Sequence, residues 1–414
     1  MLDELPLEIL ENEFYPFFDM VFKTLFLTML LTPISASAEP VRKSLLTPDQ
    51  QQHILDGIDN ILGMKFDNAQ REFESLGKKV PGHPFAHFGY ASVAWLRYIY
   101  EYEQSDQSLM KPFDDAVENG VDAANIWVKK HPEDAEGWMA RGAINGLYGR
   151  MMMTQRRYIK GYFTARTAMK SVRKALELDP EMVDAKLGVG MYDYYTDVYP
   201  HFIGALAKIV MGGSRARGIK TLHEVAEGGK YTHWTAKMIL VEIYNHDPFG
   251  AADPAKAVKI MKVVRDGYPN SPMMHSAELV SQLNAKQYAA VEAGALEFNR
   301  RVDAGMYPTL EKAKGLVILG HAQWFLGKPD QALDAFRAAT VFKLKGQLSR
   351  YAVAALIKAG NVLDTQGRRD DAKALYVLAR RQPDHWGFKR IASKYQSKPY
   401  VFPSPPFSIV PRYK

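Results

Sequence analysis

The basic residues between Arg150 and Lys174 form the densest group of side chains that could bind a partner, because no acidic residue interrupts them. The members are Arg150, Arg156, Arg157, Lys160, Arg166, Lys170, Arg173 and Lys174, with Tyr158, Tyr162 and Phe163 interleaved. A cationic, aromatic helix face can hold an acidic protein segment, an anionic polymer or a lipid headgroup. The other interpretation is a solvated helix face whose aromatic rings pack in the core. The candidate partner-binding residues from this group are Arg150, Arg156, Arg157, Tyr158, Lys160 and Arg166.

Patterns that would support catalysis or metal binding are incomplete. The chain contains no cysteine, which excludes thiolate zinc sites and cysteine nucleophiles. His83 and His87 are four residues apart, but a third ligand is missing from their neighbourhood. Gly315 and Gly320 have the spacing of a phosphate-binding loop, but His321 follows where that loop needs lysine. We therefore predict no catalytic residue, no metal and no cofactor, and a chain that is not an enzyme.

The elements that must position these residues are helices. From about Leu46 onward, apolar residues recur with helical spacing, and short turns with Pro, Gly, Asp or Asn separate the segments. No segment alternates apolar and polar residues as a half-buried strand would. The sequence therefore predicts an all-α protein.

Two segments near the C-terminus share the order glycine, alanine, aromatic residue, alanine with the same spacing. The positions are Gly320, Ala332, Phe336 and Ala339 in one segment and Gly360, Ala372, Tyr376 and Ala379 in the other. A small residue at the centre of each helix lets two helices approach closely, while the aromatic ring fills the space between units. A further glycine, Gly327 or Gly367, falls between the two helices of each unit. In this pattern the chain resembles the tetratricopeptide repeat family.

The resemblance implies a right-handed superhelical solenoid of helix-turn-helix repeats, with six or seven units between residues 46 and 390. The predicted organisation is a signal peptide at 1–38, an N-terminal helical block at 39–190, an apolar linker segment at 191–229, a C-terminal repeat block at 230–395 and a proline-rich tail at 396–414. The linker contains an apolar stretch from Phe202 to Met211, which could dock on a membrane or a partner helix or could cap the core.

In this family the first helix of each pair lines a concave groove that binds protein or peptide ligands. The residues that would face this groove are Lys314, His321, Trp324 and Asn361. Family members that clamp a C-terminal carboxylate carry lysines and asparagines in several consecutive units. Here apolar residues such as Val317 and Ile357 stand at those lysine positions. The resemblance therefore favours an apolar or aromatic peptide over a carboxylate clamp.

The N-terminus predicts export. An apolar run from Thr24 to Leu31 follows Lys23, and Ala36-Ser37-Ala38 precedes Glu39, which indicates a secretory signal peptide cut after Ala38. The first nineteen residues hold six acids and no base, so we expect translation to start at Met20; an attached amphipathic helix is the alternative. Since residues 1–38 hold six acids and one lysine, their removal changes the net charge from +7 to +12.

These observations predict an exported, periplasmic or secreted, non-enzymatic scaffold or adaptor for protein–protein interaction in envelope or secretion assembly. The alternative is a carrier or surface-binding protein that engages anionic envelope lipid or polymer through the basic aromatic face. The positive net charge of the chain is the one feature that favours nucleic acid as a partner, and predicted export argues against it.

Overall fold

The fold was analysed in a computed structural model, which describes residues 44–105, 107–154, 157–198 and 213–401. The helices in these ranges are α1 Pro48–Leu62, α2 Phe66–Lys79, α3 Pro84–Tyr100, α4 Lys111–Lys130, α5 Ala135–Thr154, α6 Tyr158–Leu178, α7 Lys186–Val198, α8 Arg215–Gly228, α9 His233–His246, α10 Pro254–Gly267, α11 Pro272–Asn284, α12 Tyr288–Asp303, α13 Glu311–Phe325, α14 Pro329–Ala339, α15 Arg350–Thr365, α16 Arg369–Arg381 and α17 Phe388–Ser397. Two 3₁₀ turns, Gln107–Met110 and Val183–Ala185, precede α4 and α7. The predicted signal peptide, the Phe202–Met211 stretch and most of the predicted tail lie outside the described residues.

Residues at the helix ends explain where the helices start and stop. Thr47 and Gln50 form a capping box at α1, and the Ser271 and Ser349 hydroxyls accept backbone N–H groups at the starts of α11 and α15. Gly327, with φ +75°, lies in the turn between α13 and α14. A left-handed backbone conformation at that point favours glycine because a Cβ atom would be strained there.

The helices pack as an array of antiparallel pairs, each helix against its neighbours in the chain, with first helices also contacting the next first helix. The largest fully buried side chains include aromatic rings on second helices, namely Phe73, Phe113, Phe298, Phe336 and Tyr376. Burying one such ring contributes roughly 2–3 kcal/mol. Buried aromatic rings therefore fill the spaces between helices at several points along the array, as expected for an all-α repeat solenoid.

The array contains more helix pairs than the sequence predicts. Within the described residues, α1 to α16 form eight consecutive pairs, and α17 packs against the last pair. The segment predicted as a linker at 191–229 contains most of α7 and all of α8, which pack on each other and continue the array.

A short two-stranded hairpin interrupts the helical array. Strands Lys343–Leu344 and Gln347–Leu348 pair antiparallel between α14 and α15. None of the helices in the described residues combines the length and apolarity that crossing a bilayer requires.

The start of the array also contacts repeats that are far away in sequence. The Tyr268 hydroxyl donates a hydrogen bond of 2.5 Å to an Asp59 carboxylate oxygen. The Ser271 hydroxyl donates one of 2.7 Å to the Leu62 carbonyl oxygen. The first helix therefore lies against the turn that joins the fifth and sixth pairs.

Candidate functional site

The predicted groove residues lie on first helices, but they are covered. Lys314, His321 and Trp324 are on α13 and Asn361 is on α15. Their exposed fractions are 6%, 2%, 6% and 0%, respectively. A peptide partner therefore has no direct access to these side chains in this conformation, and their assignment to partner binding stays a prediction.

Near Lys314 the cover includes the chain's own Tyr100–Gln104 segment, which links the end of α3 to the turn before α4. Its Glu103 carboxylate accepts a 2.7 Å hydrogen bond from the backbone N–H of Arg350, the first residue of α15. The Trp386 indole N–H donates a 2.6 Å bond to the Glu103 carbonyl oxygen. Glu103 itself is 4% exposed. The segment thus lies between the N-terminal repeats and the last two pairs.

Lys314 of α13 makes electrostatic contacts with the Tyr100–Gln104 segment and with its own helix. Its ammonium forms a 2.6 Å ion pair with Glu311 and lies 5.8 Å from the ring centre of Tyr100 and 5.3 Å from that of Tyr351. Burial alone would lower the pKa of Lys314, but Glu311 and the two tyrosines raise it above its usual value. Lys314 is therefore a charged, paired group inside the groove.

Burial has the opposite effect on Glu103. Removal from water raises the pKa of this carboxyl group to about 7, although the Arg350 N–H bond and the charges of Lys314 and Arg350 favour its ionised form. Glu311, on the neighbouring helix, adds a repulsive negative charge. The groove holds this carboxyl group, but burial destabilises its ionised form.

Several buried polar atoms of the groove lack a hydrogen-bond partner among the residues that the structure describes. They are both ring nitrogens of His321, the Nδ2 atom of Asn361, and the Oε1 atoms of Gln104 and Gln323. The Oδ1 atom of Asn361 is engaged by the Tyr376 hydroxyl at 2.9 Å. Burial and the nearby Lys358 charge lower the pKa of His321 well below its usual value, so this imidazole is neutral at pH 7.

The Trp324 side chain has a packing role at the C-terminal end of the groove. Its ring centre lies 5.4 Å from that of Tyr400 and 6.5 Å from that of Phe336. Trp324 is therefore part of the hydrophobic core between α13, α14 and the residues that follow α17.

The second candidate surface is the outer face of α6. Phe163, Arg166, Lys170 and Arg173 follow one another at three- and four-residue intervals and so lie on one side of the helix. Phe163 is 56% exposed. In the part of the chain that the structure describes, Arg166, Lys170 and Arg173 form no ion pair, whereas the next cation, Lys174, pairs with Glu177 at 3.2 Å. We call Phe163, Arg166, Lys170 and Arg173 the α6 stripe.

The structure separates the other predicted members of the basic group. Arg150 is exposed near the end of α5, and Arg157 is exposed at the N-cap of α6. The Lys160 ammonium donates to the Tyr148 hydroxyl and lies 4.7 Å from its ring centre, so it is occupied within the chain. Arg156 lies outside the described residues, and Tyr158 begins α6.

The histidine pair of the sequence has a structural role. His83 caps α3, since its Nδ1 atom accepts the Phe85 N–H at 3.3 Å, and its Nε2 atom lies 3.7 Å from the Asp134 carboxylate. Among the described residues, no group of three or more histidine, aspartate or glutamate side chains is arranged to hold a metal ion.

A close contact between a glycine and an aromatic ring recurs in three helix pairs. A Cβ atom at Gly320 would lie 2.7 Å from the Phe336 ring, and one at Gly360 would lie 2.5 Å from the Tyr376 ring. Gly57 in the first pair has the same relation to Phe73. The chain is an all-α repeat solenoid. Gly320 and Gly360 are the small residues that the sequence pattern predicts for helix pairs in close contact.

Three solved structures that are similar to this chain have low sequence identity to it and TM-scores below 0.5. No protein-family model and no curated protein sequence match the chain. The human IFIT1 dimer with PPP-AAAA is 12% identical with a TM-score of 0.43, covering 86% of each chain. A tetratricopeptide repeat protein from Parabacteroides merdae is 11% identical with a TM-score of 0.31, covering 75% of this chain and 99% of its own. Yeast Tom70 is 12% identical with a TM-score of 0.33, covering 85% of this chain and 82% of its own. Similarity at this level does not extend to ligands.

Proposed function

We propose that this chain is a non-enzymatic binding scaffold that docks an acidic segment of another protein on the α6 stripe. The observation that carries the proposal is the row Arg166, Lys170 and Arg173, which forms no ion pair with any residue that the structure describes and lies beside the exposed Phe163 ring. A solvated helix face normally pairs its cations with acids at three- or four-residue spacing, as Lys111–Asp115 and Lys262–Asp266 do in this chain. The α6 stripe instead presents uncompensated positive charge to a partner.

The test replaces Arg166, Lys170 and Arg173 together by serine and measures binding to fluorescent poly-L-glutamate. We expect the dissociation constant to rise about tenfold, because three exposed charge contacts are worth up to about 1 kcal/mol each and are only partly additive. Binding by the parent chain should also weaken steeply between low and high salt, since exposed charges are screened.

The matched control replaces Lys111, Lys256 and Lys262 by serine, which removes the same charge from exposed sites that are already ion-paired. This control should bind poly-L-glutamate as the parent does, apart from a small loss due to net charge. Equal losses in both triple variants would mean that net charge alone drives binding, and the proposal would fail.

One observation favours the second candidate function, engagement of anionic lipid. Phe163 is 56% exposed and flanked by cations, an arrangement that suits the boundary between headgroups and acyl chains. The variant Phe163→Ser distinguishes the two functions. Loss of binding to phosphatidylglycerol vesicles with retained binding to poly-L-glutamate supports lipid engagement, whereas unchanged vesicle binding excludes it.

We also propose that the scaffold acts in the cell envelope or in secretion assembly. This rests on the signal-peptide pattern before Glu39. The same signal-peptide pattern is the reason for proposing protein and lipid before nucleic acid as partners. Nucleic acid is therefore a partner class to test if the chain is not exported.

A further inference from the structure

The Tyr100–Gln104 segment occupies the groove in the manner of a bound ligand. Its acidic side chain meets a backbone N–H at the start of α15, where the amide dipoles favour a negative group. Two of its tyrosines face cations: Tyr100 lies near Lys314, and the Lys345 ammonium is 4.7 Å from the ring centre of Tyr102. The contacts thus involve two aromatic residues and one acidic residue of the segment, namely Tyr100, Tyr102 and Glu103.

The backbone of this segment is held in an unfavourable conformation. Glu103 and Gln104 have φ values of +47° and +58°, the left-handed region that residues with a Cβ atom avoid. Two consecutive residues in the left-handed region persist only where contacts with the surrounding structure hold their backbone in place. In the chain, the short connection from α3 to α4 forces the segment into this conformation. A separate peptide has no such connection and is free of this constraint.

The segment also leaves groups of the groove unused. His321 and Asn361 are at least 98% buried and have ring or amide nitrogens without a hydrogen-bond partner among the described residues. Gln104, within the segment, likewise has a buried Oε1 atom without a hydrogen-bond partner among the described residues. A buried polar group without a partner costs free energy, so a ligand that supplies acceptors and donors here would bind better than the segment does.

We propose that the groove between α13 and α15 binds an aromatic, acidic segment of a partner protein, and that the Tyr100–Gln104 segment occupies this groove until the partner displaces it. This site is distinct from the α6 stripe and adds a second, gated binding surface to the scaffold. Its ligand has a carboxylate for the Arg350 N–H and aromatic rings for Lys314 and Lys345.

The experiment uses a fluorescein-labelled peptide with the chain's own sequence from Tyr98 to Ser105, and measures its anisotropy with the full chain. In the variant Glu103→Ala the internal carboxylate is lost, so the groove is vacated and peptide affinity should increase at least tenfold over the parent chain, since apparent affinity scales with the fraction of open groove. A peptide with alanine in place of Glu103, which cannot accept the Arg350 N–H, should lose this gain.

The matched control is Glu101→Ala. Glu101 is on the same segment, but its carboxylate pairs with Arg97 on α3 and is partly exposed, outside the groove. This variant should bind the peptide no better than the parent chain does. The α6-stripe triple-serine variant should respond as the parent does too, so that failure of either proposal can be recognised separately.

A second variant, Trp386→Phe, protects the test against misfolding of Glu103→Ala. It removes the indole N–H that holds the Glu103 carbonyl oxygen while keeping an aromatic ring in the core. This variant should also bind the peptide more tightly than the parent chain. Equal affinity of the parent chain and both variants overturns the proposal, as does peptide-independent dimerisation of the variants, which would assign the groove to a second copy.

Discussion

Glu103 is the residue whose protonation state most affects the closed groove. The pKa of its carboxyl group is raised by burial from 4.5 to about 7. Between these two pH values the folded chain holds a proton that the unfolded chain releases, so this group stabilises the fold fully below pH 4.5 and loses that contribution as the pH rises through 7. The closed groove is therefore tighter in mildly acidic solution.

We predict that the free energy of unfolding of the parent chain falls relative to that of Glu103→Gln between pH 5 and pH 8, by up to about 3 kcal/mol. Glutamine can still accept the Arg350 N–H but does not titrate. Urea unfolding of both proteins at the two pH values measures the difference. Parallel pH dependence of the two proteins would show that Glu103 does not titrate in this range.

The groove residues show how far single positions could be predicted. The family pattern places Lys314, His321 and Asn361 on first helices, and the structure confirms that placement. Their burial could not be predicted, because the carboxylate that enters the groove comes from 247 residues before its hydrogen-bond partner on α15. Local spacing carries no information about such a contact. The consecutive acidic and aromatic residues from Tyr100 to Glu103 could have indicated a buried contact, but the same pattern also occurs in solvated turns.

At the scale of helix pairs, the glycine–aromatic pattern identified the two strong repeats but not the α7–α8 pair. That pair uses glycine on both helices: a Cβ atom at Gly218 would lie 2.7 Å from the Gly190 carbonyl oxygen and 2.5 Å from the Tyr194 nitrogen. The close backbone approach replaces the aromatic filler, so the family spacing is absent. A glycine on each of two successive amphipathic segments was the signal that could have identified it.

We predict opposite effects of alanine at two helical glycines. Gly320→Ala should destabilise the chain by about 1–2 kcal/mol, because the overpacking against Phe336 exceeds the gain in helix propensity. Gly146→Ala, in α5, should stabilise it by up to about 1 kcal/mol, because no side chain or neighbouring element among the described residues comes within 4 Å of the new methyl group. Thermal unfolding of both variants gives the signs. A stabilised Gly320→Ala variant would contradict the role of this glycine in close packing.

At the scale of the whole molecule, the all-α repeat architecture follows from the sequence, while the location of the protein remains a prediction. If the signal-peptide pattern is functional, the mature protein isolated from its native cells should begin at Glu39 and be found in the periplasm or the medium. N-terminal sequencing and cell fractionation measure both. An intact N-terminus in the cytosol would remove the envelope proposal and return nucleic acid to the set of partners to test.

The contacts of Glu103 with α15 and Trp386 also bear on how the chain folds. Repeat solenoids ordinarily have only contacts between neighbouring units, so they can nucleate anywhere and lose a terminal unit with little effect on distant ones. Here two hydrogen bonds of Glu103 join parts of the chain that are separated by 247 and by 283 positions. A long loop must close before these non-local contacts can contribute to stability. The last repeats should therefore fold late and cooperatively with the first, and removal of residues from 350 onward would expose the Tyr100–Gln104 segment at the other end of the array.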